Sequence, residues 1–430
     1  MTSMADPLSL PCGAVIPNRL AKGAMTEGLA SPQGIPTLEL NRLYKVWSEG
    51  GAGMLLTGNV MIDREHLERP GNVILDREPD ARMMAALSDW AEAGTVAGNH
   101  LWMQISHAGR QTQTNVNPAP KAPSAVALAL PGGRFGTPTP LTEPEILDLI
   151  GRFATAAMAA KTAGFTGVQV HGAHGYLISQ FLSPRSNLRE DRWGGTLENR
   201  ARLLLDAVRA VRAAVGPEFP VSVKLNSADF QRGGFDFGES LQVARWLEEA
   251  GVDLLEISGG SYEQPAMMDL QGLEARTDQP QVAASTAARE AYFVDFAKAM
   301  QAELKAMKLM VTGGFRSRAA IQHALETGAA DLVGLARPLC GEPDGCNRLL
   351  AGATQLPRYE AQHALLPRWL SWLQSFEIVR AASGFAVQFW YYAQLDHIGR
   401  TGKPQLQQSV FSAVRQVDSQ QKHWLAARSG

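Results

Sequence analysis

The chain has 430 residues, 45% apolar and 19% charged, a balance that suits a globular protein with a large buried core. Its formal net charge of −2 argues against nucleic acid as a main partner, because such proteins carry a basic excess. Cysteine occurs only as Cys12, Cys340 and Cys346, which excludes a disulfide framework, falls short of the thiolates an iron–sulfur cluster takes, and points to a reducing, cytoplasmic setting.

The N-terminus, Met1-Thr2-Ser3-Met4-Ala5-Asp6, has no basic flank leading into an apolar core, so no signal peptide is readable. Strand candidates then follow at Leu20–Ala24, Met54–Gly58, Leu101–Ile105, Val168–Gly172, Val221–Leu225, Leu254–Gly259, Leu309–Thr312 and Leu332–Ala336. Four of them share one lead-in, an Ala-rich helix closing on a Gly-containing turn: Gly50-Gly51-Ala52-Gly53, Ala163-Gly164-Phe165, Ala250-Gly251-Val252 and Gly328-Ala329-Ala330. Glycine there supplies a left-handed helix cap, and the apolar run after it reads as a strand buried on both faces. Helical stretches such as Thr196–Val215 and Phe237–Ala250 separate the strands, so the sheet should be parallel. Eight such units predict an α/β fold, a closed (β/α)8 or TIM barrel; periodicity by itself leaves an open doubly wound sheet as the alternative.

Two segments break the repeat. Gln111–Pro140, rich in Pro and Gly, reads as a long loop after the third strand, on the face where barrel active sites sit. Beyond Leu356 the chain carries Trp369, Trp372, Phe376, Phe385, Phe389, Trp390, Tyr391 and Tyr392. A barrel over residues 1–355 and a helical, aromatic-rich C-terminal extension over 356–430 are expected, the extension packing on the barrel or joining a homo-oligomer. The most apolar stretch, Ala381–Ala393, is shorter than the roughly 20 residues of a membrane span.

Barrel enzymes place working side chains where strands end. The fourth strand ends Val168-Gln169-Val170-His171-Gly172-Ala173-His174-Gly175-Tyr176. Two neutral imidazoles can polarise a carbonyl by donating N–H groups to one oxygen, and a phenol can deliver a proton. A metal held by His171 and His174 would want a third ligand, and none is adjacent; histidines satisfied in the core are the other alternative. The seventh strand runs into Gly313-Gly314-Phe315-Arg316 and the eighth into Ala336-Arg337, which suits a phosphate dianion held by backbone N–H groups and an arginine.

The runs HGAHGYLISQFLSP, from His171 to Pro184, and NLREDRWGGTLENR, from Asn187 to Arg200, resemble the Old Yellow Enzyme family of FMN-dependent ene-reductases. The resemblance extends from about Leu8 to about Leu350 and leaves the tail uncovered. It implies that Ala24, Met25 and Thr26 lie against the flavin ring, in a segment that lacks the family's usual proline. It also places Gly58 beside the ring and Gln104 on its pyrimidine edge. Lys224 stands where the family often has Arg, and a cation there would stabilise the reduced, anionic ring. In the same pattern His171 and His174 bind a substrate oxygen, Tyr176 donates a proton, and Gly313, Gly314, Phe315, Arg316, Ala336 and Arg337 hold the phosphate side of FMN. Arg110 and His107 either face the substrate or brace the long loop.

The implied reaction is ping-pong: NADPH or NADH reduces FMN, then an α,β-unsaturated carbonyl compound accepts hydride at its β-carbon. Relatives on the same barrel that oxidise or demethylate amines or reduce dienoyl thioesters usually carry a cysteine-rich segment and a further domain. A non-flavin phosphate-binding lyase or isomerase would not require Thr26, Gln104 and Lys224 together, and a non-enzymatic binding barrel would hold no reducible flavin.

Overall fold

The computed structural model describes residues 2–128, 133–258, 296–362 and 377–429. Gly259, part of the long loop, and Trp369, Trp372 and Phe376 lie outside the described residues, as does the side chain of Phe385. Eight parallel strands form the core: β1 (Leu20–Lys22), β2 (Met54–Met61), β3 (His100–Ser106), β4 (Gly167–Gly172), β5 (Val221–Asn226), β6 (Leu254–Ser258), β7 (Lys308–Thr312) and β8 (Leu332–Leu335). Each pairs with the next, β8 pairs with β1 and β1 with β2, so the sheet closes into a TIM barrel.

Helices α1 (Leu38–Ser48), α2 (Ala81–Ala93), α3 (Glu143–Ala163), α4 (Leu177–Leu182), α5 (Leu197–Val215), α6 (Phe237–Glu249) and α7 (Arg318–Glu326) return the chain between strands. Their starts are written locally. Asp80, Thr196 and Ser317 accept the N–H three residues on, and Thr142 with Glu145 and Asp236 with Glu239 form reciprocal capping boxes. Short helices α8 (Pro338–Gly341) and α9 (Gly345–Leu350) follow β8, and the tail adds α10 (Glu377–Thr401) and α11 (Val410–Ser429).

Strand side chains alternate between two cores. Leu55, Leu101, Val168, Val170, Val223, Leu255, Val311 and Val333 point outward into the layer shared with the helices. Ala21, Met54, Leu56, Trp102, Leu254, Met310 and Leu332 point inward, and an N-terminal hairpin (Leu8–Ser9 paired with Val15–Ile16) plugs that end of the barrel with Leu8, Leu10 and Ile16. Both faces of each strand are therefore covered at this end, which explains the uninterrupted apolar runs. One layer higher the interior turns polar, with Gln104, Gln169, Ser222, Lys224 and Glu256 all buried.

Candidate active site

The polar layer is one connected chain. The Gln104 backbone N–H donates to Thr57 Oγ1 at 2.8 Å, and Gln104 Nε2 donates to Gln169 Oε1 at 2.7 Å. Gln169 Nε2 donates to Glu256 Oε2 at 2.8 Å and to Ser222 Oγ at 3.1 Å, and Lys224 Nζ lies 2.9 Å from Glu256 Oε1. His171, Lys224 and Glu256 stand level on adjacent strands. This chain aims the ammonium of Lys224 and leaves Gln104 Oε1 to accept an N–H from a ligand. Gln169 and Glu256 were not singled out in the sequence, although an acid inside the apolar run Leu254-Leu255-Glu256-Ile257 was a readable signal.

Above this layer β4 turns sharply. His174 and Gly175 both have left-handed backbone, at φ 62° and 74°. For a non-glycine residue that conformation is strained by on the order of 1 kcal/mol or more, so it persists only where surroundings over-determine it. Here Asn226 Oδ1 accepts from His174 N at 3.1 Å, Gln111 Nε2 donates to His174 O at 2.8 Å, and His174 Nε2 lies 2.6 Å from Ser258 Oγ. The turn gathers three rings: His171 to His174 at 5.1 Å and His171 to Tyr176 at 4.9 Å between centroids, the latter edge-on at 90°.

His171 Nδ1 accepts the Ala173 N–H at 3.2 Å, so its proton sits on Nε2. Burial, reinforced by the Lys224 charge, pushes both His171 and His174 well below the usual imidazole range. Both rings are therefore neutral near pH 7, the state in which imidazole can polarise a carbonyl without carrying a charge of its own.

Ala24, Met25, Thr26, Gln104, His171, His174, Tyr176, Lys224 and Arg337 all line one open cavity of about 170 Å³ at the C-terminal mouth of the barrel. Asn59, Cys340 and four tail residues, Gln388, Tyr391, Tyr392 and Leu395, complete its wall and were not expected there. Gly58 sits just behind, its N–H donating to Glu27 Oε1 at 2.8 Å; a Cβ at Gly58 would lie 2.5 Å from Met25 O, so only glycine lets β2 approach the segment after β1 this closely. After β7, where the phosphate was expected, Gly313 and Gly314 have φ 137° and 78°, and Phe315 is buried. Ala336 leads β8 into Arg337, which immediately precedes α8. Arg316 donates to Pro357 O at 3.1 Å and pairs with Glu360. Arg110 Nη1 donates to Val126 O at 3.2 Å and Ala127 O at 3.4 Å, which engages it with the long loop.

These residues fit FMN. Asn59 Oδ1, whose residue lines the cavity, and the Thr312 hydroxyl, next to Gly313, are buried polar groups with no hydrogen-bond partner, the first able to accept from a flavin N–H and the second able to donate to a phosphate oxygen. Gln104 Oε1 and the Lys224 ammonium add the acceptor and cation that a flavin pyrimidine edge calls for.

Beside the cavity, His107 stacks on His66 at 4.5 Å, and both face Asp63, His66 Nδ1 at 3.2 Å and His107 Nε2 at 3.7 Å from Oδ2. The three could be taken for a metal triad. Their outer nitrogens argue otherwise: His66 Nε2 accepts from Lys121 N at 2.8 Å and His107 Nδ1 from Gly109 N at 3.0 Å. The nitrogens facing Asp63 are then the protonated ones, and the group braces the long loop. Burial pushes His107 down to about 4. The unfolded chain takes up that proton below pH ~6.5 and the folded one only near pH 4, so stability is lost as pH falls through this window, by about 3 kcal/mol from this residue. Urea midpoints should drop steadily from pH 7.5 to 5, and His107→Gln should flatten that slope; identical slopes in both proteins would contradict the assignment.

Comparison with known proteins identifies the family. The sequence profile of the NADH:flavin oxidoreductase / NADH oxidase family matches residues 6–355. The NADH-dependent flavin oxidoreductase iliE of Hypocrea jecorina is 37% identical over 361 residues, covering 78% of this chain and 86% of that protein. The protein of the same name from Neonectria sp. (strain DH2) is 38% identical over 352 residues; the match covers 78% of this chain but only 45% of the Neonectria protein. Among solved structures, an old yellow enzyme homologue from Zymomonas mobilis superposes with a TM-score of 0.67 at 26% identity, covering 82% of this chain and 94% of that one. The chain belongs to the NADH:flavin oxidoreductase / NADH oxidase family and is an Old Yellow Enzyme-type, FMN-binding oxidoreductase barrel.

Proposed function

We propose that the chain is an ene-reductase that uses NADH, or NADPH, to reduce the activated C=C bond of α,β-unsaturated carbonyl compounds, in a cycle where nicotinamide and acceptor occupy one site in turn. The observation that supports this most is the neutral pair of His171 and His174 beside Tyr176 at the barrel mouth. FMN, when bound, would supply the two-electron redox chemistry that links the nicotinamide to the acceptor.

The chain's own groups supply the rest. His171 Nε2–H, with the His174 ring beside it, holds the carbonyl oxygen and stabilises the negative charge that grows there as the alkene is reduced. Because that charge is larger in the transition state than in the bound acceptor, these hydrogen bonds act on rate more than on binding. The Tyr176 hydroxyl delivers the proton to the α-carbon. Lys224, aimed by Glu256, holds positive charge at the pyrimidine edge, and Arg337, with the turn at Gly313 and Gly314, faces the phosphate.

Incubating the protein and FMN with NADH and 2-cyclohexenone should yield cyclohexanone, resolved by gas chromatography, one per NADH oxidised. NADH oxidation by oxygen alone, with the enone returned unchanged, would reject the reading. In the same assay Tyr176→Phe should slow enone turnover by roughly 100-fold, the range for loss of a general acid, while flavin reduction by NADH keeps its rate. An unchanged enone rate would mean that water, not Tyr176, donates the proton.

A further inference from the structure

The C-terminal tail lies beyond the family match, which ends at residue 355, yet it reaches the cavity. Gln388, Tyr391, Tyr392 and Leu395 are spaced i, i+3, i+4 and i+7, so they form one stripe along α10. That stripe is the part of the helix that lines the cavity, together with His171, His174 and Tyr176. Trp390, Ala393 and Ile398, at other positions on the helix, are buried in the main core, and Tyr391 and Leu395 of the stripe have one side in it too. A stripe that served packing alone would be apolar; this one carries two phenols and an amide.

The helix is fixed over the mouth at three points. Arg42 of α1 donates to the carbonyls of Gly399 and Arg400, each at 2.7 Å. Gly399 is needed there, because a Cβ would lie 2.8 Å from Glu39 O. Tyr391 donates to Glu360 Oε2 at 2.7 Å, and Glu360 in turn pairs with Arg316 of the phosphate end. The Arg69 guanidinium lies 3.8 Å from the centre of the Tyr392 ring, and Gly28 approaches it so closely that a Cβ there would lie 2.9 Å from its Cζ. The cation thus holds the Tyr392 ring in place, a stacking that also favours it energetically.

We propose that α10 closes the active cavity of its own chain, and that Tyr392 and Gln388 are specificity-determining residues that restrict it to slim, flat acceptors. Tyr391 and Arg69 act as positioning residues for this wall. The proposal rests on reading the cavity as the flavin and acceptor site.

The test compares kcat/KM for 2-cyclohexenone with that for a bulky aryl-substituted cyclohexenone, in holoprotein of the full chain. Tyr392→Ala should raise the bulky-to-small ratio at least tenfold. Gln388→Ala, which removes no ring, should raise it in the same direction, and Tyr392→Phe should leave it near the starting value. Ratios within twofold of the parent in both alanine variants, with FMN still bound, would reduce the tail to packing and overturn the proposal. A Tyr392→Ala protein that folds but no longer retains FMN would place the tail in cofactor binding and overturn it too. If the parent protein itself reduces no enone, the functional reading fails before the tail is at issue.

Discussion

Replacing His171 with alanine should lower kcat/KM for alkene acceptors by roughly 100-fold or more, the loss typical when a preorganised donor to a developing oxyanion is removed. His171 Nδ1 is committed to the Ala173 N–H, so only Nε2–H can serve the acceptor, and truncation removes that donor entirely. FMN retention should persist, because the expected flavin contacts, at Thr26, Gln104, Lys224 and Arg337, lie on other strands and loops. His171→Asn, which restores an N–H donor, should recover part of the rate. Steady-state kinetics with the FMN content of each variant decide the matter. An alanine variant with parental turnover would place the oxygen elsewhere in the cavity.

The second large effect is expected at Lys224. It and Glu256 are both buried, 2.9 Å apart. Lys224→Met leaves the Glu256 carboxylate without its cation in the barrel interior, where breaking a buried pair costs about 3–5 kcal/mol. Flavin affinity should fall as well. The double variant Lys224→Met/Glu256→Gln removes the orphaned charge, keeps an acceptor for Gln169 Nε2, and should regain most of the stability without regaining the flavin affinity. Urea unfolding of the flavin-free proteins and fluorescence titration with FMN separate the two effects. A single variant as stable as the double would show that the pair carries no such burden.

The barrel was legible because its rules are local. Buried strands write continuous apolar runs, and helix starts carry caps such as Asp80 and Thr196 within three residues of the groups they serve. The strand-end residues were legible for the same reason, since His171, His174 and Tyr176 lie within one turn. What the sequence hid depends on distant partners. Glu256 reads as an isolated acid until β5 brings Lys224 beside it. His107 could face substrate or brace a loop until Asp63 and His66 are placed against it. The tail was the hardest case. Its aromatic residues were evident, but which of them turn toward the cavity is decided by contacts such as Arg42 with Gly399, 357 residues apart. No periodic pattern reports a docking of that kind.

On the proposed function, a reducible flavin would sit at the His171 end of the barrel and reduce an enone. An anaerobic visible spectrum of the purified protein tests it directly. The purified protein should be yellow, its flavin absorbance bleaching on addition of NADH and returning in full when 2-cyclohexenone is added. A folded protein with no affinity for FMN, or a bleached flavin that the enone leaves reduced, would contradict it.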